Sequence, residues 1–281
     1  MENSNLISIV IPCYNDAQYI EQSVFSALNQ TYSQIEVIIV DDGSNVETKE
    51  ILKKIEPKIT KLITQENQGQ SKARNVGIEA SKGDYILVLD SDDYFEPSFC
   101  QKAILSFCNP EIKLVASFVK RFNDFYCYDF YPNGGDLKDF LICNQAAAGS
   151  VMFRKQDFTT AGGYDETMRS GFEDWEFYIR LLKNGGTAFI IPEFLFNYRT
   201  KENSTTTLAN KIKYKLLYFI YEKHKDLYVL YFEDFVSHLL NRIEREEKEK
   251  FKNLQRIEYR IGVNVLKPFR WIKKIFKMKK V

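Results

Sequence analysis

The stretch YILVLDSDDYFEP, Tyr85 to Pro97, runs a short apolar segment straight into three carboxylates, Asp90, Asp92 and Asp93. An apolar run of this length with little alternation suits a strand covered on both faces. Like charges at its mouth repel one another unless a cation or protons offset them. Two further runs have the same form. Leu6 to Ile11, LISIVI, leads into Pro12, Tyr14, Asn15 and Asp16, and Ile35 to Val40, IEVIIV, leads into Asp41-Asp42-Gly43-Ser44. A weaker strand is expected over Lys61 to Thr64. Helical spacing marks Ala17 to Asn29, Val46 to Ile55 and Ser71 to Ala80 between these runs. The alternation implies a mostly parallel α/β sheet with right-handed crossovers and helices on both faces. Ligands of such sheets gather beyond the carboxyl ends of the strands, and all three polar turns face that edge.

In the second half, Leu114 to Phe118, Ser150 to Phe153 and Thr187 to Ile191 read as strands. Phe172 to Asn184 has helical spacing, with Trp175, Ile179 and Leu182 inward and Gly185-Gly186 as its stop. The aromatic, glycine-containing stretch Arg121 to Asp136 shows no period. From about Leu208 the chain becomes a series of Lys-, Glu- and Tyr-rich helical segments, which places a boundary near Asn210. Residues 1–209 are thus expected as one α/β domain and residues 210–281 as a helical appendage.

The bulk properties of the 281 residues narrow the class. A content of 44% hydrophobic and 27% charged residues suits a globular protein. The 39 basic and 38 acidic residues leave a formal charge of +1, so no general attraction to nucleic acid follows. The tail is different, because residues 264–281 hold seven Lys or Arg and no acid. There Phe269, Ile272 and Phe276 recur at helical spacing, which suits an interfacial helix on an anionic membrane surface. A basic end that packs on the preceding helices satisfies the same pattern. Five cysteines without a CxxC pair suit a reduced, cytoplasmic protein. The first residues lack a basic n-region, and no run approaches the roughly 18 apolar residues of a membrane span.

The acidic turns have a bland and a chemical reading. Mg²⁺ and Mn²⁺ take oxygen ligands, commonly one or two carboxylates plus substrate phosphates, so Asp-x-Asp at a strand end suits a diphosphate anchor. It equally suits a solvated turn in which Asp90 caps the next helix. VDDGSN, Val40 to Asn45, is an ordinary turn unless it shares a crevice with Tyr14, whose ring could stack on a base while a carboxylate accepts from uracil or ribose. NQGQSKARN, Asn67 to Asn75, opens a helix with Gly69, Lys72 and Arg74, which suits anionic oxygens; Arg74 also reads as a surface cation. In GFEDWE, Gly171 to Glu176, carboxylates at a helix start are caps or dipole-favoured acids unless they too face the crevice.

Taken together, IPCYND, VDDGS, ENQGQSKARNVGI, LDSDDYFEP, AGGYDE and FEDWEFYIRL resemble the inverting, metal-dependent glycosyltransferases of family 2, with the GT-A fold. The likeness covers about Leu6 to Ser204, with the motifs in order. It implies a nucleotide-sugar donor, best a UDP-sugar, an Mn²⁺ or Mg²⁺ ion, and displacement at the anomeric carbon with inversion. The acceptor expected is a saccharide or lipid-linked saccharide in surface glycan synthesis, which the basic tail would let the protein reach from the cytoplasmic membrane face. Residues 1–95 then form the nucleotide-binding half and 96–209 the acceptor-side half.

Carried across position by position, Pro12 and Tyr14 lie beside the base, and Asp41 or Asp42 reads it. Asn67 and Arg74 flank base and diphosphate. Asp90 holds ribose or donor sugar, Asp92 ligates the metal, and Asp93 is a second candidate ligand. Asp174 is the general base, with Glu173 and Trp175 orienting it or the acceptor. The chain departs from the family at Tyr198-Arg199-Thr200-Lys201-Glu202-Asn203-Ser204, where the common pattern is Tyr-Arg-x-His-x-x-Ser. A charged lysine cannot ligate a metal, so Arg199 or Lys201 is expected to neutralise diphosphate instead. His224 and His238 are expected on the surface or in packing. A sugar-nucleotide pyrophosphorylase would need a Gly-rich triphosphate loop after the first strand, which IPCYNDAQY lacks. An inactive scaffold or glycan-binding protein of the same fold is the other alternative, and Asp92 with Asp174 speaks against it.

Overall fold

The computed structural model describes residues 5–146, 148–201, 204–259, 261–262 and 265–267. The apolar stretch of the tail singled out above, Phe269 to Phe276, lies outside them. The chain opens with β1 (Ile7–Cys13), α1 (Ile20–Leu28), β2 (Ile35–Asp42), α2 (Val46–Ile55), β3 (Lys61–Gln65), α3 (Gln70–Glu79) and β4 (Tyr85–Val88). These strands lie side by side in the order β3-β2-β1-β4, all parallel. Every residue of β1 is buried, as a strand covered by helices on both faces requires.

Helix α3 sits unusually close to this sheet. A Cβ added at Gly77 would lie 2.4 Å from Cγ1 of Val10 and 3.0 Å from Cγ2 of Val40. Glycine inside a helix costs about 0.5–1 kcal/mol relative to alanine, and here the close approach of helix to strand accounts for it.

The remaining elements are β5 (Tyr94–Phe95), α4 (Phe99–Ser106), β6 (Ile112–Phe122), β7 (Cys127–Phe130), α5 (Leu137–Ile142), β8 (Met152–Arg154), α6 (Lys155–Ala161), α7 (Glu173–Leu182) and β9 (Thr187–Arg199). The sheet continues from β4 through β8, β6 and β9 to β5, and β7 pairs with β6 as a hairpin. This hairpin fills much of the stretch that shows no period in the sequence. Strand β8 is antiparallel to β4 and to β6. Two reversals restore the direction, so β6 and its parallel neighbour β9 point the same way as β4. The carboxyl end of β9 therefore reaches the same edge as those of β1, β2 and β4. Helix α7 precedes β9 and begins at that edge.

By its contacts the chain divides into two compact units, Met1–Lys225 and Asp226–Val281. The first includes α8 (Thr205–Lys211) and α9 (Lys213–Lys223), so its limit falls beyond the composition shift near Asn210. The reason lies at the end of α9. Ile220 and His224 are buried there, and His224 Nε2 is 3.0 Å from Oε1 of Glu176 on α7. Glu176 is itself fully buried and also pairs with Arg180 and Lys223. Burial alone would raise its carboxyl, but bonds from His224, Arg180 and Lys223 and the charge of Arg180 hold it well below the usual range.

The second unit contains most of α10 (Lys225–Leu230) and all of α11 (Phe232–Gln255). Helix α11 leaves Leu240, Ile243, Phe251 and Leu254 exposed. No helix among the described residues is long and apolar enough to cross a membrane.

Substituting Gly77→Ala should destabilise the protein by about 1–3 kcal/mol through overpacking against Val10 and Val40, despite alanine's better helix propensity. A urea unfolding midpoint equal to or above that of the unsubstituted protein would contradict this close approach.

Candidate active site

The strand order β3-β2-β1-β4 reverses between β1 and β4, the switch point where an open α/β sheet leaves a crevice. A cleft of about 620 Å³ opens at that edge. Pro12, Tyr14, Asp42, Asn67, Arg74, Asp90, Asp92, Glu173, Asp174, Trp175 and Lys201, all singled out in the sequence, line it. Asp41, Asp93 and Arg199 are not among its lining residues.

On the β1 and β2 side, Tyr14 is half exposed at the cleft. Asn15 next to it has φ +57° and ties the two turns together. Its N–H donates to Ser44 Oγ, and its Oδ1 accepts from Asn45 N. The two adjacent aspartates divide their tasks. Asp41 turns inward and accepts from Ser44 N at 2.9 Å, closing its own turn. Asp42 accepts from Gln65 Nε2, Gln68 N and Gly69 N at 2.7–2.8 Å, so it fixes the loop that brings Asn67 to the cleft. Lys72 turns to an ion pair with Glu166 instead of entering the cleft.

Arg74 is not a surface cation: only 1% of it is exposed. Its Nη2 donates to Asp90 Oδ1 and its Nη1 to Glu173 Oε1, each at 2.7 Å. The guanidinium also lies 5.3 Å from the Tyr164 ring centroid. Room for it depends on Gly149, where a Cβ would come within 2.6 Å of Arg74 Nη2. Gln70 Nε2 donates to the same oxygen of Asp90. Arg74, Asp90 and Glu173 therefore form a joined unit, with Asp90 the member most open to the cleft.

Phe172, just before α7, has φ +66°, uncommon for a bulky residue. The two carboxylates that follow it have different partners, Arg74 for Glu173 and Asn144 for Asp174. Asp174 Oδ2 accepts from Asn144 Nδ2 at 3.0 Å, and Oδ1 accepts from Trp175 N at 2.7 Å. Burial of the carboxyl, followed by the charge of Glu173, pushes Asp174 up to about 7, against the pull of Arg74. Such a group exchanges protons near neutrality. Trp175 is a wall of the cleft, with its Nε1 already donated to Phe140 O.

The turn after β4 is held by the end of β9. Asp93 is 1% exposed and its Oδ1 accepts from Arg199 N at 2.7 Å. Burial and the charges of Asp92 and Asp90 push its carboxyl well above the usual range. The expectation that Asp93 ligates a metal thus meets an inward-turned carboxyl. Arg199 donates to Asp92 O and Gln22 Oε1 and stacks on Tyr19 and Phe122, so it braces this turn instead of facing a diphosphate in the cleft. Lys201 does face the cleft. Its Nζ lies 2.7 Å from Asp92 Oδ2 and 3.1 Å from Asp16 Oδ1.

Two hard carboxylates directed at one cation are the donor chemistry that Mg²⁺ and Mn²⁺ take. Among the described residues no group of three or more His, Cys, Asp or Glu forms a complete cage. The residues fit a divalent ion held jointly with a ligand's phosphates.

Three cleft residues carry no sequence signal of their role. Asn144 lies in LICNQAAAGS and reaches Asp174 because β8 runs back along β4. Arg169 donates to Asn67 O. Asp16 stands out in the sequence only as part of the first turn, and accepts from Ser91 Oγ as well as Lys201.

The profile described as Glycosyl transferase family 2 matches residues 8–194. The putative teichuronic acid biosynthesis glycosyltransferase TuaG of Bacillus subtilis is 30% identical over 236 residues, covering 80% of this chain and 90% of that protein. An uncharacterized glycosyltransferase of Haemophilus influenzae is 42% identical over 105 residues, covering 36% of this chain and 42% of that protein. The crystal structure of S. aureus TarS 1–349 in complex with UDP superposes with a TM-score of 0.60 at 20% identity, over 70% of this chain and 61% of that one. The chain thus spans less than two thirds of the latter two.

Replacing Arg74 by Met would leave Asp90 and Glu173 facing each other unpaired. Breaking a buried pair in this way costs about 3–5 kcal/mol, so a large fall in the denaturation midpoint is expected. Adding Glu173→Gln to Arg74→Met should restore part of that loss, and strictly additive effects would rule out the proposed coupling.

Proposed function

The chain belongs to glycosyl transferase family 2, and from that premise we propose that it moves a sugar from a UDP-sugar to a hydroxyl of a saccharide or lipid-linked saccharide, with inversion. The observation that carries this reading is that Asp174, a carboxylate tuned to exchange a proton near neutrality, opens on the same cleft as the Asp90–Asp92 turn. A base at one wall and a phosphate anchor at another are what a direct displacement requires.

In this reading the nucleobase stacks on Tyr14 beside Pro12, with Asn67 and the loop braced by Asp42 forming the rest of its seat. Asp90, fixed by Arg74 and Gln70, accepts a hydroxyl of the ribose or donor sugar. Mn²⁺ or Mg²⁺ at Asp92 would offset the charge that develops on the departing diphosphate. Asp174 accepts the proton of the acceptor hydroxyl as its oxygen bonds to the anomeric carbon and the bond from that carbon to the β-phosphate oxygen breaks. Asn144 and Trp175 N–H orient the carboxylate for this, and the Trp175 ring closes the acceptor side. The relative named for teichuronic acid biosynthesis supports a surface polysaccharide as the product. A cytoplasmic setting, peripheral on the membrane where residues 264–281 meet anionic lipid, suits a lipid-linked acceptor.

Incubation with Mn²⁺ and a panel of sugar nucleotides should give slow donor hydrolysis for at least one UDP-sugar and a thermal upshift with UDP. If neither UDP nor any UDP-sugar binds, the donor assignment is wrong. Asp174→Asn should retain UDP binding and lose about 10²–10⁴-fold in transfer rate; full activity in that variant would remove the base assignment. Because the base acts deprotonated, kcat/KM should rise about tenfold per pH unit below pH 7 and level off above it. A profile flat from pH 5 to 9 would contradict it.

A further inference from the structure

Lys201 stands where the family pattern commonly has histidine, and its placement gives that departure a consequence. Its ammonium is within ion-pair distance of carboxylates from two separate turns, Asp92 after β4 and Asp16 after β1. The face of Tyr19 lies beneath it, 5.2 Å from Nζ to the ring centroid. The chain around it is anchored. Two residues earlier Arg199 is bound to Asp92 O and Asp93, and Ser204 N donates to Lys201 O before Ser204 caps α8. Lys201 is thus held over the acidic turn as an internal counter-ion.

We propose that Lys201 is a tethered cation that occupies the divalent-ion position between Asp92 and Asp16 while the donor is absent, and moves to the diphosphate when metal and donor arrive. This rests on the reading of Asp92 as the metal-side carboxylate. An ammonium has three donors and no lone pair, so Lys201 cannot join the coordination of an ion there and must give up its place. A neutral histidine at this position would be a ligand; lysine is a competitor. The free protein should therefore bind the metal weakly. The diphosphate brings the negative charge that lets both cations remain, so metal and nucleotide should bind with positive cooperativity.

The test is Mn²⁺ titration of the full chain by electron paramagnetic resonance, comparing Lys201→Met and Lys201→Gln with the unsubstituted protein. Without nucleotide, both variants should bind Mn²⁺ roughly five- to tenfold more tightly, the scale of a lost competing ion pair. With saturating UDP the advantage should vanish or reverse, because the variants lack a charge at the diphosphate. Equal or weaker Mn²⁺ binding by both variants without nucleotide overturns the proposal, as does an absence of Mn²⁺ binding in all three proteins. UDP binding measured by calorimetry separates the two levels. If UDP binds while the variants show no change in Mn²⁺ affinity, only the tethered-cation role falls; if UDP does not bind, the donor reading falls as well.

Discussion

Arg74 carries a permanent charge into a place where 1% of it remains exposed, and taking such a charge out of water costs several kcal/mol unless it is well paired. Its partners are 16 and 99 residues away along the chain. Asp90 lies in the turn after β4, and Glu173 begins α7. Burial of the guanidinium is offset only when the turn after β4 and the start of α7 are both in place, and the arginine in turn ties those two segments together. This mutual requirement sets the spacing of the cleft. The missing side chain at Gly149 leaves the guanidinium the room it needs.

The remaining charges follow from the same edge. Asp16, Asp90 and Asp92 would repel one another without a counter-charge. Arg74 supplies it at Asp90; for Asp16 and Asp92 it comes from beyond β9, because β8 reverses the direction twice and returns β9 parallel to β4. Arg199 at the end of β9 holds the backbone of the turn, and Lys201 just beyond it meets the carboxylates. Asp93 pairs with neither side chain; it takes the Arg199 N–H and is buried. One acid of the triplet thus serves the fold, one the arginine bridge, and one, Asp92, faces the cation position.

Strands β1, β2 and β4 were legible because burial on both faces writes an unbroken apolar run, and their turns were legible because carboxylates interrupt it. The end of β6 that pairs with β7, and β7 itself, were not, since residues 120–122 and Cys127–Phe130 are partly exposed and mix aromatic and charged residues. Residues whose role depends on a distant partner left no local mark. Arg74 has the spacing of a helix cation, and only the tertiary fold buries it. Asn144 touches Asp174 across 30 residues, and His224 meets Glu176 across 48, which draws α9 into the first compact unit. The Asp41–Asp42 and Asp92–Asp93 pairs show the limit on the other side: the motif locates the pair, but strand pleat and turn decide which member faces the cleft.

Helix α7 shows how one local pattern yields different chemistry. Its first turn holds Glu173, Asp174 and Glu176, and a helix N-terminus favours ionised acids at all three. Glu173 meets the Arg74 guanidinium, and Glu176 meets Arg180, Lys223 and His224 and is pulled down. Among the described residues the hydrogen bonds to Asp174 come from neutral donors, the Asn144 amide and the Trp175 N–H, and burial pushes it up. A cation beside Asp174 would hold it ionised but too weakly basic to take a proton. Neutral donors orient it without that cost. Helix geometry, with 3.6 residues per turn, sends adjacent acids to different partners, and the left-handed Phe172 immediately precedes them. Strain of that kind, of order 1–3 kcal/mol, persists where surrounding packing fixes it, and here the Phe172 ring rests against Trp175. The divergent acids and the neutral partners thus act together to leave one basic carboxylate facing the cleft.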